Sequence, residues 1–174
     1  VAIWAVLLTA LALGAPPATA QDIDFERLRE RANQYSVIID MDIEISFGIH
    51  TNEQTERYLG TIVREDGLVI FDATSLAADV GMSTFSGFSV KTTPVQIEIT
   101  TLDGESFEGE YIGLDRFTTI GFLKIKADDR TFTPVKFRSN RSFRVGDWLG
   151  LYMLLPEFIP PPLSADVGMI SNLV

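Results

Sequence analysis

The stretch Arg64–Leu76, "REDGLVIFDATSL", combines a turn, an apolar run and an abrupt polar end. Its Asp-Gly dipeptide is typical of β-hairpin turns. The run that follows, Leu68–Phe71, is apolar and rich in side chains that favour strands. The stretch therefore predicts a hairpin whose second strand ends at "DAT" and places Thr74 at the edge of a site.

The segments around this hairpin also have strand patterns. Ser36–Gly48, "SVIIDMDIEISFG", alternates apolar and polar side chains, as half-buried strands do. A type I′ turn is predicted at Asp103-Gly104, and one short amphipathic helix in residues 21–35. Several short strands with regular turns predict an all-β fold, a barrel or a sandwich. The further predicted strands are "YLGTIV", "LVIF", "VQIEITTL", "SFEGEYIG", "TTIGFLKIKA" and "WLGLYML".

Two segments interrupt this pattern. Ala77–Pro94 is rich in Gly, Ser and Thr and predicts a long surface loop, whose role the sequence does not identify. Glu157–Ser164 contains three consecutive prolines, which favour a stiff extended connector between units.

The first twenty residues, "VAIWAVLLTALALGAPPATA", have an apolar core followed by small residues and prolines. They resemble a secretory signal peptide cleaved after Ala20. A membrane anchor is the alternative, but the apolar run reaches only to about Ala15, and a spanning helix needs about 20 residues. We expect the signal to be truncated at its start and the mature chain to be exported, to a periplasm or the cell exterior.

Charge and cysteine content exclude several kinds of partner. The net charge of −10 disfavours nucleic acid and, once the signal is removed, an anionic membrane surface. Because the chain has no Cys, disulfide and thiol chemistry are excluded. No motif predicts a cofactor.

The order of the motifs resembles the HtrA-type trypsin-like serine proteases over about Ser36–Val174. The matching segments are "EDGLVIF", "ITTLDGESFEGEYIGLD", "TIGFLKIKA", "FRVGDWLGLYMLLPE" and "VGMIS". The resemblance implies a six-stranded first barrel in residues 36–156, with "WLGLYML" as its last strand. It implies a Pro-rich linker and the first strand of a second barrel in residues 157–174, with a PDZ module further along. We expect the residues after Pro156 to be poorly packed and Val167–Val174 to lack strand partners.

Carried over by position, the catalytic His of that family falls on Thr74 and the catalytic Asp on Thr119. A threonine hydroxyl cannot accept the proton of a serine nucleophile, for which His has a suitable pKa. The nucleophilic Ser of the family lies in the second barrel, beyond Val174. The resemblance therefore implies a degenerate triad and no catalytic residue in this chain.

A protease-homologous scaffold or peptide-binding module is the function that this reading predicts. Its partners would be polypeptide segments or the chain's own C-terminal half, and an oligomer is compatible with it. The alternative is a serine endopeptidase fragment, active only with that half and a base from elsewhere, such as His50. A third class, an exported binding domain unrelated to proteases, would not need the strands to close into a barrel. The resemblance predicts that Thr74 and Thr119 lie within about 8 Å, with no charged group between them.

Other candidate sites have structural interpretations that we favour. His50, the only His, is predicted in a solvated loop. Asp40, Asp42 and Glu44 lie on one strand face about 7 Å apart, too far for a shared Ca²⁺ unless loops contribute ligands. We interpret them as the solvated face of an outer strand, and no metal site is predicted. Asp128-Asp129 is predicted to form a turn, and Trp148 and Tyr152 are predicted to share a buried face of one strand. The basic cluster is predicted to lie on the solvated edge of a hairpin; it consists of Lys136, Arg138, Arg141 and Arg144.

Overall fold

A computed structural model describes residues 24–47, 50–78, 90–137, 142–156, 158–159 and 162–172. The predicted signal peptide and its cleavage site lie outside the described residues. The elements are helix α1 (Phe25–Asn33) and strands β1 (Ser36–Phe47), β2 (His50–Ile62), β3 (Leu68–Asp72), β4 (Val90–Thr101), β5 (Ser106–Asp115), β6 (Ile120–Ile125), β7 (Trp148–Leu154) and β8 (Leu163–Met169), with a 3₁₀ turn at Leu76–Ala78.

Helix α1 begins where its sequence provides a cap. The carboxylate of Asp24 accepts a hydrogen bond from the backbone N–H of Arg27 at 2.9 Å, which satisfies one of the free donors of the first turn. Ala32 is buried, while most of the helix is exposed. The predicted short amphipathic helix is confirmed.

Strands β1 to β6 form a closed antiparallel barrel in the order β1-β2-β3-β6-β5-β4. The barrel closes because β1 pairs with β2 along one edge and with β4 along the other. Alternation directs every second residue of β1 inward, and Ile39, Met41 and Ile43 are at most 1% exposed. The prediction of an all-β fold with a six-stranded barrel and a short helix is confirmed.

Gly121 of β6 leaves room for an aromatic ring against the strand's backbone. A Cβ atom at this position would lie 2.3 Å from Cε1 of Phe71, its partner on β3. The ring of Phe71, 4% exposed, therefore packs directly on the β6 backbone. This packing fixes the end of β3 beside the start of β6.

The two predicted hairpin turns form, but Asp103-Gly104 is not a type I′ turn. Both central residues of a type I′ turn have positive φ, whereas here Gly104 has a φ of 95° and Asp103 is not in that region. The backbone N–H of Gly104 donates to the carbonyl of Thr101 at 2.9 Å. This is the arrangement of a type I turn followed by a left-handed glycine.

Two strands are longer than the sequence predicts. β2 begins at His50, because the polar segment before Tyr58 pairs residue by residue with β1 as far as the His50–Phe47 pair. His50 therefore lies on a strand, and its predicted place in a loop is wrong. β4 begins at Val90, so the last five residues of the predicted Ala77–Pro94 loop belong to a strand, while residues 79–89 lie outside the described part.

The prediction that Trp148–Leu154 is the last strand of the first barrel is wrong. This segment, β7, pairs with β8 in a separate two-stranded sheet. The physical reason is that β4 already closes the barrel against β1, so no barrel edge is open to β7. The C-terminal strand also has a partner, contrary to our expectation, and Leu163 at its start is only 8% exposed.

One face of the β7–β8 hairpin approaches helix α1, and the other faces solvent. Trp148 and Tyr152 share the face that approaches Leu28 of α1 at Gly150, but Trp148 is 47% exposed, so its predicted burial in the core is wrong. The opposite face presents apolar side chains to solvent. These are Leu149, Leu151 and Met153, which are 44%, 56% and 43% exposed.

Candidate functional site

The end of β3 and the turn between β5 and β6 meet at a pair of threonines. The hydroxyls of Thr74 and Thr119 lie 3.2 Å apart although 45 positions separate the two residues. The backbone N–H of Ala73 donates to the carbonyl of Thr119 at 2.9 Å and ties the two segments together. The predicted convergence within 8 Å is confirmed. We call this pair and its contacts the threonine site.

The β5–β6 turn holds Thr119 in an unusual conformation. The carboxylate of Asp115 accepts from the N–H of Phe117 at 3.0 Å and from the hydroxyl of Thr118 at 2.8 Å, and these bonds lower the pKa of Asp115. Thr119 has a φ of 57°, in the left-handed region. A β-branched residue rarely adopts it, so the turn holds Thr119 under backbone strain.

Both hydroxyl protons at the threonine site are donated to other oxygen atoms in hydrogen bonds. Thr74 donates its proton to Oδ1 of Asp72 at 2.5 Å, and Thr119 donates its proton to the carbonyl of Thr118 at 2.7 Å. Neither threonine can act as a base, because a neutral hydroxyl has no accessible pKa for accepting a proton.

A carboxylate, Asp72, accompanies the threonine pair, although we expected no charged group between them. That expectation rested on the free-energy cost of burying an unpaired charge, and this cost does not arise because Asp72 is exposed. Hydrogen bonds from the hydroxyl and then the N–H of Thr74 hold the pKa of Asp72 below its usual value. Asp72 is therefore ionised at neutral pH.

A second polar cluster adjoins the first. The carboxylate of Glu56 accepts hydrogen bonds from Tyr58 and, at 2.8 Å, from the hydroxyl of Ser75, and the Tyr58 and Ser75 hydroxyls lie 2.7 Å apart. Burial raises the pKa of the Tyr58 phenol, and the hydrogen bond to Glu56 raises it further. Tyr58 therefore stays protonated and acts as a donor.

Sequence reasoning missed this second cluster. Glu56 fell in a polar segment that we did not assign to a strand, so nothing indicated which way its side chain pointed. Two-residue spacing places Glu56 and Tyr58 on one strand face, which could have revealed the pair. Nothing in the sequence indicated a role for Ser75 apart from its position directly after Thr74.

His50 does not reach the threonine site. It is exposed and pairs with Phe47 at the start of β2, whereas Gly60 of the same strand pairs with Phe71 near the site. Ten residues of strand separate those two points, or about 33 Å at 3.3 Å per residue. His50 cannot serve as a displaced base in this arrangement.

The acidic strand face is an outer face, and two of its three carboxylates have partners on the neighbouring strand β2. Asp40 forms an ion pair with Arg57 at 2.6 Å, and Asp42 accepts a hydrogen bond from Thr55 at 2.6 Å. Glu44 accepts a longer one from Ser46, at 3.4 Å.

The remaining candidates can be located only in part within the described residues. In the part of the chain that the structure describes, no three His, Cys, Asp or Glu side chains are placed to share a metal ion. Asp128-Asp129 forms the predicted turn. Of the basic cluster, Lys136 and Arg144 are exposed, and Arg138 and Arg141 lie outside the described residues.

Fold and site together define an all-β domain with a closed six-stranded antiparallel barrel, compatible with a trypsin-like barrel. No sequence model of a known protein family matches the chain. No curated protein gives a significant match either. Among the described residues, no helix has the length and apolar character to cross a membrane.

Proposed function

We propose that this chain is a non-catalytic relative of the HtrA-type trypsin-like proteases, exported to a periplasm or the cell exterior, and that it binds polypeptide segments or acts as a scaffold. The observation that carries the proposal is the contact between Thr74 and Thr119. These are the two positions where the resemblance implies His and Asp, and their hydroxyls lie 3.2 Å apart. The closed barrel is the frame that such a site requires.

The chemistry of the threonine site supports a non-catalytic role. A serine nucleophile needs a base that removes its proton and a group that orients the base. Around Thr74 the structure provides hydroxyls and the low-pKa carboxylate of Asp72, and His50 lies at the far end of β2. Ser75 donates its proton to the carboxylate of Glu56 at 2.8 Å, and the only His, His50, is too far away to activate it as a nucleophile.

Hydrolysis of labelled casein tests the absence of activity. We expect none from the chain as it stands across the pH range in which it is folded, and none from the double variant Thr74→His, Thr119→Asp, because no activated serine is supplied. Reproducible cleavage that His50→Ala or Ser75→Ala abolishes would overturn the proposal. Circular dichroism of each variant verifies that it is folded.

A second candidate is a serine endopeptidase completed by a C-terminal half. The exposed apolar face of the β7–β8 hairpin favours it, since Leu149, Leu151 and Met153 are each more than 40% exposed and a further unit of chain would cover them. Co-expression of the chain with such a half, followed by the casein assay, distinguishes the two. Activity of the complex would favour the endopeptidase.

Export is tested by N-terminal sequencing of the protein that is secreted from a cell expressing a precursor that contains residues 1–174. We propose cleavage after Ala20, so the secreted protein should begin at Gln21. Retention of Val1–Ala20 in a membrane fraction would contradict export through a cleaved signal.

A further inference from the structure

The threonine site borders a groove on the outer surface of the barrel, between β2, β3 and the start of β6. It has a volume of about 390 Å³, and its apolar floor consists of Leu59, Ile70 and Ile120. Val69 and Phe71 point into the core, so alternation directs Ile70 and Asp72 outward into this groove. A groove of this size accommodates one or two side chains of a ligand.

Asp72 gives one end of the groove a negative charge that has no counterion among the described residues. Both of its hydrogen bonds, from the N–H and the hydroxyl of Thr74, go to Oδ1. Within the described residues, Oδ2 accepts no hydrogen bond and no cation lies within ion-pair distance. The groove thus combines an apolar floor with a free carboxylate oxygen.

The spacing of these two features matches an extended polypeptide. Ile70 and Asp72 are two residues apart on β3, so their side chains lie about 7 Å apart on one face. A ligand strand has the same period, and its residues i and i+2 would lie above Ile70 and Asp72. Because the first position is apolar and the second is anionic, the complementary ligand has an apolar side chain followed two residues later by Lys or Arg.

We propose that this groove binds an extended peptide segment with an apolar residue at one position and a basic residue two positions later. The apolar side chain packs on Leu59, Ile70 and Ile120, and the basic side chain pairs with Oδ2 of Asp72. The inference rests on the proposed peptide-binding function and names its site and ligand class.

Fluorescence polarisation with three labelled peptides tests the proposal on the full chain at low ionic strength. The first peptide is acetyl-Ser-Gly-Leu-Ser-Arg-Ser-Gly-amide, the second has Glu in place of Arg, and the third has Ser in place of Leu. We expect the first to bind most tightly. Exposed ion pairs contribute little, so Asp72→Asn should weaken its binding by about fivefold. The same variant should strengthen binding of the Glu peptide, because it removes the repulsion between two carboxylates. Ile120→Ser should weaken the first peptide and leave the third unchanged.

Asp66→Asn is the matched control, because it removes the same charge from an exposed turn at the opposite end of β3 and should leave binding unchanged. Binding of the first peptide that Asp72→Asn does not weaken would overturn the groove while leaving a peptide-binding function elsewhere on the barrel. Equal affinity for the Arg and Glu peptides would overturn the charge assignment. No binding of any of the three would overturn the groove proposal, whereas the casein assay judges the absence of catalysis independently.

Discussion

Replacing Thr119 by Asn should stabilise the protein, because Thr119 holds a backbone conformation that suits its side chain poorly. Its φ is 57°. The left-handed region costs ordinary L-residues about 1–2 kcal/mol, and asparagine adopts it far more readily than a β-branched residue does. The substitution removes the exposed hydrogen bond from Thr119 to the carbonyl of Thr118, which costs roughly 0.5 kcal/mol. The net gain is then about 0.5–1.5 kcal/mol.

Urea unfolding followed by circular dichroism measures this gain. With a slope of about 2 kcal/mol per molar urea, the midpoint should rise by roughly 0.5 M, and the melting temperature by roughly 2–4 °C. Thr131→Asn is the control, since Thr131 is exposed and does not have a positive φ; its midpoint should not rise. A midpoint for Thr119→Asn at or below that of the control would refute the claim that the turn strains this residue.

Three further predictions concern the surroundings of the site. Gly121→Ala should destabilise the barrel by about 1–3 kcal/mol, because its Cβ would lie 2.3 Å from an aromatic ring; Gly168→Ala, with open space around it, should stay within about 0.5 kcal/mol of the parent in urea unfolding. The folded-state pKa of Asp72 lies below its unfolded value, so the stability that this carboxylate contributes is present above the unfolded pKa and is lost as pH falls through the folded pKa. Asp72→Asn should therefore lose less stability in acid than the parent does. An unchanged dependence of the unfolding free energy on pH in the acid range would contradict this. Glu56→Gln should lower the pKa of Tyr58, because it removes a charge that raises that pKa; an ultraviolet titration in which the phenol titrates at the same pH as in the parent would count against the contact.

Local signals in the sequence predicted much of the barrel. The Asp-Gly dipeptide after Glu65 predicted the first hairpin, and the alternation of Ser36–Gly48 predicted the buried residues of β1, including Ile39 and Met41. These predictions succeed because turn chemistry and strand period depend on neighbouring residues alone.

Other elements depend on pairing, which a single segment does not encode. The polar start of β2 has no apolar alternation, and it is a strand because β1 extends far enough to pair with it. Similarly, Trp148–Leu154 has a strong strand pattern that does not specify its partner. It lies outside the barrel because β4 pairs with β1 and closes the barrel, so that β7 pairs with β8 instead.

The candidate site was predicted in part. The order of the motifs indicated that Thr74 and Thr119 would meet, and the backbone bond from Ala73 to Thr119 brings this about. The sequence did not indicate the carboxylate of Asp72 beside Thr74. Nor did it indicate the strain at residue 119, because a Thr does not signal a positive φ and this one is imposed by the turn that Asp115 closes.

Pairs of introduced cysteines test most directly whether Thr74 and Thr119 converge at the end of a closed barrel. The chain has no Cys, so the double variant Thr74→Cys, Thr119→Cys contains only the introduced thiols. A disulfide forms when the Cβ atoms lie within about 3.5–4.5 Å, and the two hydroxyls that the sulfur atoms would replace are 3.2 Å apart. Under mild oxidation, we predict a monomer without free thiols. The control pair His50→Cys, Thr119→Cys should keep both thiols free in the monomer. A Thr74–Thr119 variant that also keeps its thiols, although circular dichroism shows that it is folded, would contradict the convergence and with it the protease-like account of this site.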